Sequence, residues 1–142
     1  MYIFDTDSLS NILKKSPSVL LIKKLESLPK SSQFTTCINV SEIYFGAYRS
    51  KNQKEILKAY EEKVFPNINI LPFDTESGKI YGRIKALLEK KGLSKSEPDL
   101  RIAAIAIQHN MALVTGNIKH FVNIPGLNLE DWINIQPKGK NK

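Results

Sequence analysis

One stretch, EPDLRIAAIAIQHNMALVTGNIKHF from Glu97 to Phe121, constrains the fold of this chain most strongly. Its first half predicts a helix, because Pro98 suits a first helical position and residues 102–107 are apolar around most of a helical cylinder. A helix with this composition must be buried. The apolar run ALV that follows is typical of a short buried strand.

The short connection inside this stretch predicts where two polar residues lie. Only His109 and Asn110 make the turn between helix and strand, so the two elements are expected to run antiparallel. A helix of about 15 Å matches a strand of four to five residues in length. Asp99 at the helix start and Thr115 at the strand end are therefore expected at the same edge of a sheet.

Two earlier strands also lead into acids. The first strand, YIF, stops at Asp5 before a helical pattern begins. The β-branched run Gln33–Ile38 predicts a second strand, after which Asn39 or Ser41 is expected to cap a helix with Glu42 in or near its first turn. An acid near a helix N-terminus is favoured by the helix dipole without any function, so neither acid is informative alone.

The alternation of strands and helices predicts the fold class. Four strands and the intervening helices, of which Asp74–Lys90 is the longest, indicate an α/β fold with a mostly parallel sheet and helices on both faces. Residues 129–135 fit either an edge strand or a helical turn. Ligands of such sheets bind outside the carboxyl ends of the strands, where Asp5, Glu42 and Asp99 are expected to converge.

Composition limits the class of protein. The chain has 142 residues and 42% hydrophobic content without a linker-like segment, which indicates one domain over residues 1–135 followed by a basic tail, 136–142. No membrane span or signal peptide is evident, so the cytoplasm is the expected compartment. The net charge of +7 permits a nucleic-acid partner, although Lys138, Lys140 and Lys142 of the tail supply part of it.

Three acids at one sheet edge predict a metal site. Carboxylates held within a few ångströms raise one another's pKa until a cation or a proton joins them. Oxygen ligands suit Mg²⁺ or Mn²⁺, and the chain has no Cys/His set with zinc spacing. An acidic metal pocket in a basic domain suggests phosphodiester hydrolysis.

The motifs resemble those of the PIN-domain ribonucleases and, within them, the VapC-type toxins of toxin–antitoxin pairs. The resemblance covers nearly the whole chain, and its motifs are YIFDTDSLS, INVSEIYFGAYRS, PDLRIAAIAIQHNMALVTGN and KHFVNIPGLNLEDW. It implies a three-layer α/β/α sandwich and a Mg²⁺- or Mn²⁺-dependent endoribonuclease that cuts structured RNA such as tRNA. It also implies a homodimer that is held inactive by a VapB-type antitoxin.

The resemblance also implies roles for individual residues. Asp5 and Asp99 resemble the principal metal ligands of the family. Glu42 resembles the acid that completes the metal site or orients the attacking water. Thr115 and Asn117 resemble the polar support at the strand end.

Two positions depart from the family pattern. Asp7 stands where the family usually has Asn, and His120 stands where an acid is common just before the Phe of the last motif. Three readings of His120 remain open. Its imidazole can ligate a metal ion and favour Mn²⁺, it can bind phosphate when protonated, or it can be an inert surface residue.

Two other functions compete with the nuclease. Phe4-Asp5-Thr6-Asp7 looks like the nucleophile strand of haloacid-dehalogenase-type phosphatases, although the later Thr-Gly-Asn loop lacks the acid that such enzymes need. A PIN-like RNA-binding or regulatory module is the other alternative, with catalysis weakened by the change at His120. Metal-dependent cleavage of RNA distinguishes the nuclease from both.

Overall fold

A parallel sheet lies at the centre of the fold. The computed structural model describes residues 1–134, and in this part of the chain the sheet has five strands. They are β1 (Tyr2–Phe4), β2 (Gln33–Thr36), β3 (Asn69–Leu71), β4 (Ala112–Val114) and β5 (Leu129–Glu130). Their order is β3-β2-β1-β4-β5, and every neighbouring pair is parallel.

Helices connect the strands and cover the sheet. The α-helices are α1 (Thr6–Ile12), α2 (Val19–Ser27), α3 (Cys37–Tyr48), α4 (Gln53–Ala59), α5 (Thr75–Lys90) and α6 (Glu97–Gln108). A 3-10 turn, Ile118–His120, follows β4. Within residues 1–134 no helix combines the length and apolar character that crossing a bilayer requires.

Alternate side chains of the strands enter two hydrophobic clusters. Ile3 and Leu113 belong to the cluster that contains the buried side chains of α5 and α6. Phe4 and Val114, one residue further along each strand, belong to the cluster that contains those of α1 and α2. Because successive side chains of a strand point to opposite faces, the sheet is buried on both sides. The predicted α/β/α arrangement is confirmed.

The second strand and the helix after it differ from the prediction. The strand ends at Thr36 rather than Ile38, and the Thr36 hydroxyl accepts the Asn39 N–H at 3.1 Å as the N-cap of α3. Asn39 and Ser41 are therefore inside the helix, and their prediction as caps is wrong. The threonine hydroxyl satisfies a free N–H of the first turn, which outweighs the strand preference of the next two residues.

The turn between α6 and β4 is confirmed. The Met111 N–H donates to the Ala106 carbonyl and the Asn110 N–H to the Ile107 carbonyl, at 3.0 and 3.1 Å. Asn110 takes a left-handed conformation with φ of 52°, as the C-terminal cap of this motif requires. At the other end α6 begins one residue before Pro98, with Ser96 as its N-cap.

The segment that the sequence left open contains an edge strand. Leu129 and Glu130 pair with β4, and Trp132 follows them with 2% of its surface exposed. The Trp132 ring packs edge-on against Tyr2 and Phe4, with ring centroids 5.0 and 5.4 Å apart. The predicted domain end at 135 and the predicted basic tail, 136–142, lie outside the described residues.

Replacing Trp132 tests this packing. Trp132→Ala is expected to lower the free energy of unfolding by about 3–5 kcal/mol, because it opens a cavity against β1. Trp132→Phe keeps an aromatic ring there and should cause a smaller loss. Urea denaturation followed by circular dichroism measures both. Equal, small effects of the two variants would contradict the packing described here.

Candidate active site

The sheet order places Asp5 and Thr115 side by side. The chain leaves β1 towards β2 and β3 and later returns to β4 on the other side of β1, so strand order reverses between β1 and β4. Ligand sites of open α/β sheets lie at such a switch point, outside the carboxyl ends of the strands. Asp5 directly follows β1 and Thr115 directly follows β4, and the Asp5 N–H donates to the Val114 carbonyl at 2.9 Å.

Asp5 is a buried carboxylate held by neutral donors. Its exposed fraction is 7%, and its two oxygens accept hydrogen bonds from Asn39 Nδ2 and Thr115 Oγ1, each at 2.8 Å. Burial raises the pKa of Asp5 from 3.8 to about 6, and the Asp7 charge adds to the rise, whereas the bonds from Thr115 and Asn39 oppose it. Burial dominates because it penalises the ionised form.

Asn39 is a site residue that the sequence analysis missed. Its amide also donates to Thr6 Oγ1 at 3.0 Å, while its side-chain oxygen accepts from Thr36 Oγ1 at 2.7 Å. These bonds orient the amide towards Asp5. Asn39 precedes Glu42 by three residues, which places both side chains on one face of a helix. This spacing could have identified Asn39 as a site residue.

Glu42 lies in the second turn of α3 and faces the same edge. Its Oε1 accepts a hydrogen bond from Thr6 Oγ1 at 2.8 Å. Burial raises the pKa of Glu42 and the Asp99 charge raises it further, whereas the bond from Thr6 opposes the rise. Thr6 and Asn39 therefore form a hydrogen-bonded path from the Glu42 carboxylate to the Asp5 carboxylate.

Asp99 lies in the first turn of α6, as predicted. Only 16% of its side chain is exposed, and its backbone N–H donates to the Ser96 hydroxyl at 3.3 Å. Its Oδ2 is 3.6 Å from Nδ1 of His120, whose side chain is half-exposed. The structure therefore brings His120 to Asp99, at the same edge as the other acids.

Asp7 lies in the first turn of α1 and contacts the loop after β4. Its Oδ2 accepts the Gly116 N–H at 2.7 Å, and a Cβ at Gly116 would lie only 2.7 Å from that oxygen, so a side chain at position 116 would displace the Asp7 carboxylate. Burial raises the pKa of Asp7, and the Asp131 charge adds to the rise. Asn117 enters the network through its backbone, since its N–H donates to Thr115 Oγ1 at 3.0 Å.

The acids of this edge do not make one tight cluster in the described part of the chain. Asp5 and Asp7 meet at the Thr115 hydroxyl, which is 2.8 Å from Asp5 Oδ2 and 3.4 Å from Asp7 Oδ1. Asp99 acts on Glu42 through its charge, which adds to the raised pKa of Glu42. Over residues 1–134, no three or more histidine, cysteine, aspartate or glutamate side chains are spaced to hold a metal ion. The tight gathering of three carboxylates predicted from the sequence is not seen in this part of the chain.

Comparison with known proteins identifies the family. The sequence profile of the PIN domain matches residues 2–127, and Ribonuclease VapC2 of Rickettsia felis is 34% identical over 133 residues, with 93% of this chain and 98% of that protein covered. This chain belongs to the PIN-domain family and, within it, to the VapC-type ribonucleases. The resemblance read from the motifs is confirmed.

Other PIN-domain proteins agree with this assignment. The tRNA(fMet)-specific endonuclease VapC of Salmonella typhimurium is 29% identical over 131 residues, with 92% of this chain and 97% of that protein covered. The crystal structure of VapBC2 from Rickettsia felis bound to a promoter DNA fragment contains a similar chain, with a TM-score of 0.84 and 32% identity. That match covers 92% of this chain and 98% of the other.

The buried carboxylate of this PIN domain predicts a pH-dependent stability. Because the pKa of Asp5 is higher in the folded than in the unfolded state, the contribution of Asp5 to the stability of the metal-free protein should be most favourable below about pH 4 and be lost as the pH rises to about 6. A pKa rise from 3.8 to about 6 corresponds to about 3 kcal/mol. Asp5→Asn should therefore unfold at higher urea concentration than wild type at pH 7, with the difference vanishing towards pH 4.

Asp74→Asn is a control variant for which the opposite change in stability is expected at pH 7. The hydrogen bond from the Ser77 N–H, followed by that from Gln108, holds the pKa of Asp74 below its usual range. Removing this charge should lower stability at pH 7. Urea denaturation in EDTA-containing buffer from pH 4 to pH 7 measures both variants. A destabilised Asp5→Asn variant at pH 7 would contradict the charge balance described for Asp5.

Proposed function

We propose that this chain is the toxin of a toxin–antitoxin pair and hydrolyses RNA phosphodiester bonds with a divalent cation, Mg²⁺ or Mn²⁺. The observation that carries the proposal is the Asp5 carboxylate, buried at the switch point of the sheet and held by neutral donors. A charge in this position is costly without a cation. Dependence on a divalent cation is general among PIN-domain nucleases.

The residues fit such a cation. Each oxygen of Asp5 accepts one hydrogen bond and retains a further lone pair for a ligand. Carboxylate oxygens suit Mg²⁺ and Mn²⁺, and Mg²⁺ usually binds one or two carboxylates and keeps several waters. Such a cation therefore does not need three carboxylates packed together. We assign Asp5 and Asp99 as the residues that hold the cation.

Glu42 is the proposed acid for proton transfer. A bound divalent cation supplies an activated water and neutralises the scissile phosphate. Burial keeps the pKa of Glu42 above its usual value, which suits a carboxylate that takes a proton from the attacking water. The Thr6 hydroxyl fixes the orientation of this carboxylate, while Thr115 and Asn39 fix that of Asp5.

Positive charge beside the acidic edge supports an RNA substrate. Lys95 Nζ donates to the Lys119 carbonyl at 3.2 Å, which brings two lysines to the turn that contains His120. Such cations contact phosphates and counter the repulsion between RNA and the acids. Because one relative is named as a tRNA(fMet)-specific endonuclease, we propose structured RNA such as tRNA as the substrate class. The proposed compartment is the cytoplasm.

A protein partner is part of the proposal. The structural neighbours of this chain include VapBC complexes from Rickettsia felis and Salmonella typhimurium. We propose that a VapB-type antitoxin inhibits this chain and that the toxin forms a homodimer. On the outer side of α3, Phe45 and Tyr48 are 64% and 59% exposed, so apolar surface is available for a partner.

Cleavage of tRNA tests the catalytic assignments. Wild type should cut tRNA with Mg²⁺ or Mn²⁺ and lose this activity in EDTA. Asp5→Asn, Asp99→Asn and Glu42→Gln should each lower the rate by about 100-fold or more, because each removes a group that holds the cation or takes the proton. Gel-resolved cleavage of end-labelled tRNA measures the rates.

Asp74→Asn is the matched control, because Asp74 bonds Gln108 at the opposite end of α6 from Asp99. Its rate should stay within about threefold of wild type. RNA binding without cleavage by wild type would favour the regulatory module instead. Equal rates for wild type and Asp5→Asn would refute the site.

A further inference from the structure

An apolar cavity lies inside the hydrophobic cluster that contains the buried side chains of α1 and α2. Its volume is about 170 Å³, and its innermost residues are Phe4 and Leu9, which are 0% and 1% exposed. Protein interiors contain few voids larger than a water molecule, so a cavity of this size departs from ordinary packing. The other apolar residues that line it are Ile12, Leu25, Val64 and Ile68.

A π-helical turn, Tyr60–Val64, forms part of the wall. It directly follows α4 and brings two consecutive residues, Lys63 and Val64, to the cavity. Val64 is buried, whereas Lys63 is exposed. Turns of this kind are rare and occur frequently at functional sites, so the wall itself is an unusual local structure.

Polar residues line the outer end of the cavity, which we call the mouth: Gln33, Lys63 and Asn67. Two of them are engaged by backbone carbonyls. The Gln33 side-chain N–H groups donate to Leu25 and Leu28, at 3.3 and 3.2 Å, and that of Asn67 donates to the Lys63 carbonyl at 3.1 Å.

The Lys63 ammonium is the group of the mouth that can bind an anion. No carboxylate of residues 1–134 makes an ion pair with it. A lysine side chain can lie along apolar surface with its methylene groups while the ammonium stays in water. The cavity therefore has an apolar interior and a positive charge at its mouth.

We propose that this cavity binds a small aromatic carboxylate, with a phenyl ring inside and a carboxylate, joined to the ring by a short chain, at Lys63. An apolar cavity of about 150 Å³ in another protein stays dry and binds benzene, so a cavity of about 170 Å³ holds one such ring. The net charge of +7 also favours an anionic ligand over a cationic one.

The ligand site is separate from the acidic edge. Gln33 begins β2 and Asn67 precedes β3, so the mouth lies at the amino edge of the sheet, opposite to the carboxyl edge that carries Asp5. The ligand is therefore not the RNA substrate, and the proposal does not depend on the nuclease. Phe4 connects the two places, because it lines the cavity and directly precedes Asp5.

Methyl NMR of the full chain in EDTA-containing buffer tests the site with phenylacetate as the probe. Phenylacetate should shift the methyl signals of Ile12 and Leu25 in a saturable way. The methyl signals of Ile84 and Leu113, in the other hydrophobic cluster, should stay unchanged. Phenethylamine has the same ring and the opposite charge, so it should bind about threefold to fivefold more weakly, as expected for one exposed ion pair.

Substitutions in the wall and at the mouth test the two parts of the site. Leu25→Phe fills the cavity and should abolish the saturable shift at Ile12, and Val64→Ile, a smaller change, should weaken binding. Lys63→Met should weaken phenylacetate binding about threefold to fivefold and remove the difference between the two ligands. Lys58→Met is the matched control, because Lys58 is exposed on α4 and outside the cavity.

Thermal unfolding establishes that each variant is folded. Unchanged phenylacetate affinity in both wall variants would overturn the ligand site, and so would shifts that do not saturate or that appear in both hydrophobic clusters. Equal affinity of wild type for phenylacetate and phenethylamine would overturn the anionic ligand. Absence of tRNA cleavage would refute the proposed nuclease, whereas saturable binding that Leu25→Phe abolishes would still support the ligand site.

Discussion

The burial of the Asp5 carboxylate is the constraint on which the rest of the site depends. A buried carboxylate must be neutralised, hydrogen-bonded or paired with a cation. Here Asn39 from α3 and Thr115 from the end of β4 each donate to it at 2.8 Å. Each donor needs its own support, which Thr36 and the Asn117 N–H provide. A single buried charge thus couples β1, β2, α3 and the loop after β4.

The same arrangement sets stability against function. Neutral donors reduce the cost of the Asp5 charge, yet its pKa remains raised to about 6 because burial outweighs them. Asp7 and Glu42 also have raised pKa values, again mainly through burial. An edge built in this way carries a charge penalty, which the proposed cation would relieve. Functional sites commonly sacrifice stability in this manner.

Much of the fold was predictable because its signals are local. Apolar runs and the tight turn at Asn110 are readable from neighbouring residues, and the structure confirms them. The start of α3 was misjudged by a few residues, since Thr36 ends a β-branched run and also caps a helix. That small error concealed Asn39, which was taken for a cap while its side chain faces Asp5.

The sequence by itself determined the order of the first four strands and their helices, the family, and which acids follow the strand ends, because periodicity and motif spacing are properties of the linear chain. Only the tertiary structure decided that Asp5 and Asp7 share the Thr115 hydroxyl, that Thr6 and Asn39 link Glu42 to Asp5, and that His120 stands 3.6 Å from Asp99. Hydrogen bonds depend on distances of a few tenths of an ångström between residues far apart in the chain. Those distances are set by the packing of the sheet and its two helical layers.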